Sequence, residues 1–504
     1  MRTLRITGAA LLGLALLTAC DGGGDAPAKS AAPSTPPAAG LDAFYHQKID
    51  WRSCDGGFQC GTAQVPLDYA KPGAERVTLS LIRLPATDTA HRIGSLLTNP
   101  GGPGGSGVEF IRDSGRAFDE KLRARFDLVG FDPRGVGSSA PVRCLDGAGL
   151  DRYFATDSSP DDQAEVDALA SVSKGFADAC KAKAGAELPH VGTRDAAHDM
   201  DVLRAALGDS KISYYGASYG TYLGAVYADE FPGNIRALVL DGAIDPRTSS
   251  TDILVEQAKG FETALQAFIA DCVKQSSCPL GTSAPAATQK ISDLLTAADK
   301  TPLANRRDSR KVTESWAAMG IATSLYNKDF WPILRQALTQ ALTQRDGTLL
   351  ITIADQMVER KQDGTYSNQT DANMAVNCVD KPNPADLATY KKAADEARKQ
   401  SPRFGPFVVW GGLPCVYWPA QTKQAPKPIT ADGSPPILVV GTLRDPATPY
   451  KWAQGLASQL TKGVLLTLDG DGHTAYLQGN ACITKATDAY LIDGTPPAKG
   501  TTCH

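Results

Sequence analysis

Ser218 stands in Gly216-Ala217-Ser218-Tyr219-Gly220, a match to G-x-S-x-G with a strand-like run, KISYYG, leading in and a helix-like run, TYLGAVYADEF, leading out. That context is what the motif requires. A sharp strand-to-helix turn crowds the backbone, and small residues at 216 and 220 let a serine hydroxyl project above a sheet. The following helix aims its first amides at the same point and favours negative charge there. A serine hydroxyl is a weak nucleophile and needs a base, which an acid must orient. Only His473 and His504 follow Ser218. His504 is the chain terminus and expected to fray, so the base is His473, in the glycine-rich LDGDGHT after the strand-like VLLTL. The acid is Asp445, at the end of PILVVGTLR. Asp469 and Asp471 are its rivals, but they would share a loop with His473, whereas a separate strand fixes Asp445 independently.

Acyl transfer also needs two amides for the developing oxyanion. One is expected from Tyr219, the residue after the nucleophile. The other is expected from the loop Gly101-Gly102-Pro103-Gly104-Gly105-Ser106-Gly107, with Gly102 as the donor, because a run without side chains lets backbone approach a substrate closely. No lysine follows this loop as it would in a phosphate-binding P-loop. The histidines at 46, 91, 190, 198, 473 and 504 show no metal-ligand spacing. Neither a metal nor a cofactor is expected.

These groups need a scaffold, and short apolar runs supply it. They are RVTLSLIRL (76–84), GSLLTNP (94–100), FDLVGFDP (126–133), KISYYG (211–216), RALVLDG (236–242), PILVVGT (436–442) and GVLLTL (463–468). Continuous runs of this kind suit strands buried on both faces. Helical patterns lie between several of them, such as AAHDMDVLRAALG (196–208), so the fold class is α/β with a mostly parallel sheet. The rhythm breaks from about 250 to 430, where helical segments replace strands. The expected organisation is a sheet core over 41–250 and 431–504, split by a helical cap over 251–430.

The ends and the cysteines set the compartment. MRTLRITGAALLGLALLTAC has a basic start and an apolar run too short to span a bilayer, closing on a lipobox-like Leu17-Thr18-Ala19-Cys20. It reads as a lipoprotein signal over 1–20 that leaves Cys20 lipidated. The Gly, Pro, Ala and Ser content of 21–40 reads as a flexible tether to a membrane surface. The other ten of the eleven cysteines form an even set in an exported chain, which points to disulfides. Sequential pairing is expected: Cys54 with Cys60, Cys144 with Cys180, Cys272 with Cys278, Cys378 with Cys415, and Cys482 with Cys503. With 51 Lys and Arg against 55 Asp and Glu, a formal charge of −4 and no basic block, nucleic acid is excluded as a partner. A monomer is expected, on the outer face of the membrane or secreted.

NPGGPGGSG (99–107), FDLVGFDPRGVGSS (126–139), YYGASYGTYLG (214–224), LRDPATP (443–449) and DGDGHT (469–474) together resemble the secreted tripeptidyl-aminopeptidase family of α/β-hydrolases, relatives of the proline iminopeptidases. The resemblance covers nearly all of 50–503. It implies an α/β-hydrolase fold, a Ser218–Asp445–His473 triad and release of short peptides from free N-termini. Asn99-Pro100 replaces the His-Gly that opens the corresponding iminopeptidase loop, which departs from strict proline specificity. A carboxylesterase or lipase, or an endoprotease, would use the same triad, and a binding lipoprotein without chemistry is the reading from another class. An aminopeptidase must pair the substrate ammonium with a carboxylate, since an unpaired buried charge is very costly. Glu256, Glu262 and Asp380, in the cap region, are the candidates.

Overall fold

A computed structural model describes residues 40–504. Cys20, the expected signal over 1–20 and the expected tether, up to residue 39, lie outside the described residues. One ten-stranded sheet organises the rest. Its strands are β1 (Arg52–Cys54), β2 (Phe58–Pro66), β3 (Arg76–Leu84), β4 (Gly94–Asn99), β5 (Phe126–Phe131), β6 (Ile212–Ala217), β7 (Ile235–Asp241), β8 (Ile437–Arg444), β9 (Gly463–Asp471) and β10 (Thr502–Cys503). Their spatial order is β1-β2-β3-β5-β4-β6-β7-β8-β9-β10. The pairs from β5 through β4 to β10 are parallel. The β1–β2–β3–β5 edge is antiparallel.

Burial explains which strands announce themselves. Every residue of β4, β5 and β6 is buried, so each reads as an unbroken run. One face of the sheet packs residues such as Leu96, Leu128, Val239 and Leu466, and the other packs Leu97, Val129, Leu238 and Val439. Each fully buried aliphatic side chain of this kind contributes about 1.5–3 kcal/mol. β2 and β3, on the antiparallel side, and β10, at the far edge, are partly exposed and have weaker patterns. β10 is two residues long and is held beside β9 by the Cys482–Cys503 disulfide.

The chain leaves the sheet at the end of β7 and returns at β8, one strand further across. Between them it is helical, from Ser250–Cys272 through Ala284–Lys300, Glu314–Ser324, Trp331–Gln344, Thr348–Met357, Gln369–Asp380 and Leu387–Gln400 to Gly405–Trp410. A second excursion, between β5 and β6, carries the helix Gln163–Ala184. It opens on a reciprocal cap between Asp162 and Glu165 and packs against the 3₁₀ turn Leu413–Tyr417. The roof over the sheet is therefore built from two segments, not from the long insertion alone. All five sequential disulfides form; Cys378–Cys415 staples two cap elements and Cys144–Cys180 anchors the second excursion. Among the described residues no helix is long and apolar enough to cross a membrane.

Candidate active site

Ser218 caps the helix Tyr219–Glu230 directly after β6, with φ +55° and ψ −122°. A non-glycine residue holds such a backbone only where its surroundings impose it, typically at functional sites. Here the Ser218 N–H donates to the Asp241 carbonyl at the end of β7 (2.8 Å), which locks the turn to the neighbouring strand. The glycine loop after β4 closes the other side. A Cβ on Gly101, at φ +96°, would lie 2.8 Å from the Ser218 Cβ and 3.0 Å from the Tyr219 nitrogen, so the loop backbone touches the nucleophile turn directly.

That contact decides which amides face the site. The Gly101 N–H is spent on the Asn99 side chain (2.9 Å). The Gly102 N–H has no protein partner among the described residues, and Gly102 lines the same cavity as Ser218. Tyr219 opens its helix, so its N–H has no intrahelical acceptor. The two amides named from the sequence are thus free on the nucleophile's flank.

His473 follows β9, and its Nδ1 lies 2.9 and 3.0 Å from the two Asp445 oxygens. Asp445, at the end of β8, is buried and also accepts the amides of Ala447 (2.9 Å), Thr448 (2.8 Å) and Thr474 (3.1 Å) and the Thr448 hydroxyl (3.0 Å). Its rivals are engaged elsewhere: Asp469 and Asp471 both pair with Arg444. Burial disfavours the His473 imidazolium, but the Asp445 carboxylate, through charge and hydrogen bond, and Asp241 outweigh it and raise the His473 pKa above its ordinary value.

Two supports of the histidine carried no motif. Asp241, fully buried, accepts the Ala475 and Tyr476 amides and the Tyr215 hydroxyl, pinning the loop just past His473. Burial drives its pKa up to about 6 against those hydrogen bonds. From the cap, the Tyr326 carbonyl accepts the His473 N–H (2.7 Å), and the Tyr326 ring meets the imidazole edge-on at 5.2 Å. An aspartate closing a strand whose neighbour leads into the nucleophile was the available signal for Asp241; nothing local marks Tyr326.

Ser218 and His473 open on a cavity of about 660 Å³ between sheet and cap. Its walls are largely apolar, with Phe154 from the second excursion and Phe261, Met319, Phe407 and Trp410 from the cap. Of the three carboxylates named from the sequence, only Asp380 lines it. Asp380 accepts the Thr193 amide (2.7 Å) and hydroxyl (2.5 Å), and that hydroxyl also bonds the Tyr219 phenol. Burial lifts its pKa to about 6, with Thr193 working against the rise. Glu262 is corrected: it is buried against Arg403, whose Nε lies 3.0 Å away, so its charge is already neutralised inside the cap. Glu256 is corrected too, since Lys451 and the Trp452 indole occupy it away from the cavity.

Comparison with known proteins agrees with this geometry. The model of a family described as TAP-like protein matches residues 401–503. Serine protease Hip1 of Mycobacterium tuberculosis is 40% identical over 481 residues, covering 91% of each chain. The chain belongs to the TAP-like family of α/β-hydrolases. Within that family, Carboxylesterase B of Mycobacterium tuberculosis is 37% identical over 453 residues, 88% of this chain and 86% of the relative. Tripeptidyl aminopeptidase of Streptomyces lividans is 31% identical over 471 residues, 90% and 86% of the two chains. Like these TAP-like relatives, the chain is a hydrolase.

Proposed function

We propose that this TAP-like hydrolase is an exported serine aminopeptidase that releases di- or tripeptides from free N-termini. The observation that carries the reading is the Asp380 carboxylate, half-buried and open on the cavity that holds Ser218 and His473. A substrate ammonium entering there meets a charge partner, and the chain beyond it reaches the nucleophile. Ser218 Oγ attacks the scissile carbonyl while His473 Nε2 takes its proton, and Asp445 stabilises the imidazolium. The Gly102 and Tyr219 amides receive the oxyanion. The C–N bond breaks as His473 returns the proton to the leaving amine, and water, deprotonated by His473, then releases the acyl peptide. The sharpest test compares tripeptide anilides with free and acetylated N-termini. The free form should be cleaved at least 30-fold better, on the order of the 2–5 kcal/mol attached to a desolvated charge pair, and Asp380→Asn should erase the preference. Ser218→Ala should abolish all turnover, and equal cleavage of both forms by the wild type would overturn the reading.

A second reading, a carboxylesterase of the cell envelope, is favoured by the apolar cavity walls and by the name of the 37% identical relative. It requires short-chain esters to outrun every free-amine peptide in kcat/KM. We further propose that the mature chain is anchored to the membrane through lipidated Cys20. Intact-mass measurement of membrane-derived protein should find the acyl mass, lost in Cys20→Ser; wild-type protein without it would defeat the anchor.

A further inference from the structure

The helix Gln369–Asp380 runs along the cavity and presents one stripe to it. Gln369, Asn373, Asn377 and Asp380 all line the space. The stripe starts at the oxyanion loop: a Cβ on Gly104 would lie 2.5 Å from the Gln369 carbonyl and 2.9 Å from the Asn373 nitrogen, and Asn373 Nδ2 donates to the Pro103 carbonyl (2.9 Å). It ends at Asp380. The amides share a bias. Asn377 Nδ2 donates to Asn373 Oδ1 (3.0 Å), Gln369 Nε2 to the Met357 carbonyl (3.0 Å) and Gln257 Nε2 to the Ala447 carbonyl (2.9 Å). Asn383 Nδ2 likewise donates to the carbonyls of Cys378 and Lys381. Each spends its NH2 on the protein, and the carbonyl oxygens of Asn377, Gln369, Gln257 and Asn383 have no protein donor among the described residues. The cavity is thus fringed with acceptors, which suit substrate N–H groups. An acyl chain offers none.

Spacing singles out one of them. Four helical residues advance about 6 Å, close to the ~6.6–6.8 Å that separates alternate residues of an extended peptide. Asn377 stands one turn beyond the contact with the oxyanion loop and three residues short of Asp380, and it is exposed to the cavity space. We propose that Asn377 Oδ1 accepts a main-chain N–H of the substrate between the scissile carbonyl and the free amine, and so selects peptides over esters. This rests on the aminopeptidase reading and adds a specificity-determining residue to it.

The test uses a tripeptide 4-nitroanilide and two analogues, each with one internal amide N–H replaced by an ester oxygen. With wild-type protein, one analogue should lose about 5- to 10-fold in kcat/KM, the range of a single neutral hydrogen bond. Asn377→Leu should lose the same factor on the parent peptide and nothing further on that analogue. Asn377→Asp, which keeps the acceptor, should restore the discrimination, and 4-nitrophenyl acetate turnover should stay within about twofold throughout. If Asn377→Leu slows peptide, both analogues and ester alike, or if wild-type protein cleaves both analogues as well as the peptide, the proposal is wrong. Failure of the aminopeptidase reading looks different: wild-type protein, with Ser218 still titrated by a fluorophosphonate, would then cleave the free and N-acetylated parent anilides equally, or neither of them.

Discussion

Asp241→Asn separates what this buried carboxylate does for the fold from what it does for His473. Its pKa is raised from the ordinary 3.8 to about 6, with burial as the main cause. The folded protein therefore holds that proton more tightly than the unfolded chain. The ionised group begins to work against folding as pH rises past the unfolded value and does so fully above the folded one. Two units at 1.36 kcal/mol each make the cost about 3 kcal/mol at pH 7. Asparagine removes it, while its new NH2, facing groups that already donate, takes back ~1 kcal/mol. Urea unfolding should then find the variant about 2 kcal/mol more stable than wild type at pH 7 and slightly less stable at pH 4, a reversal of sign. Activity should move the other way. With Asp241 neutral, the Ala475–Tyr476 loop is held less firmly and His473 loses an anion that raises its pKa. Turnover should drop roughly 10- to 100-fold, the scale of a small misplacement of a catalytic group, and the acid limb of the rate profile should shift to lower pH. If the variant is destabilised by one margin at both pH values, the buried charge is not a cost, and the reasoning fails.

In the wild type, the raised His473 pKa puts the acid limb of kcat/KM above the ordinary histidine value of about 6.5, and a limb at or below it would contradict the Asp445 and Asp241 fields. Asp445→Asn should cost on the order of 10⁴ in kcat, with the secondary structure unchanged by circular dichroism, as expected when the imidazole loses its orienting acid. Gly101→Ala should leave the protein folded but nearly inactive to a fluorophosphonate, because its Cβ would sit 2.5 Å from the Ala217 carbonyl and 2.8 Å from Ser218 Cβ; labelling at the wild-type rate would refute the contact. Replacing Cys378 and Cys415 together by serine opens a loop with a sequence separation of 37 and should lower stability by about 4 kcal/mol in the chain-entropy account, read by urea unfolding.

The parts of the site that the sequence displays are those whose constraint is local. The turn at Ser218 demands small neighbours beside it, and strands buried on both faces leave unbroken apolar runs, so β4 and β5 start at the expected residues. β1 and β10 escape because they are short edge strands, with a disulfide holding β10, and β2 escapes because about half of its residues are partly exposed. The helix that opens the insertion begins at Ser250, and the second excursion is not recognised as roof, because its helix differs from a crossover helix only in what it packs against. Glu256 and Glu262 fail for the same reason. Glu262 is as acidic and as helical as a ligand would be, and what disqualifies it is an arginine 141 residues further along the chain.

The carbonyl of Tyr326, on the cap, holds the amide of His473, on the core. Because the insertion leaves and re-enters the sheet at neighbouring strands, it has the form of an exchangeable part, one that evolution or an engineer could replace without rethreading the sheet. The shared hydrogen bond limits that freedom. A foreign cap that brings a new cavity without an acceptor at this point would arrive with its own substrates and a loosened base, so selectivity and turnover in this enzyme must be inherited together.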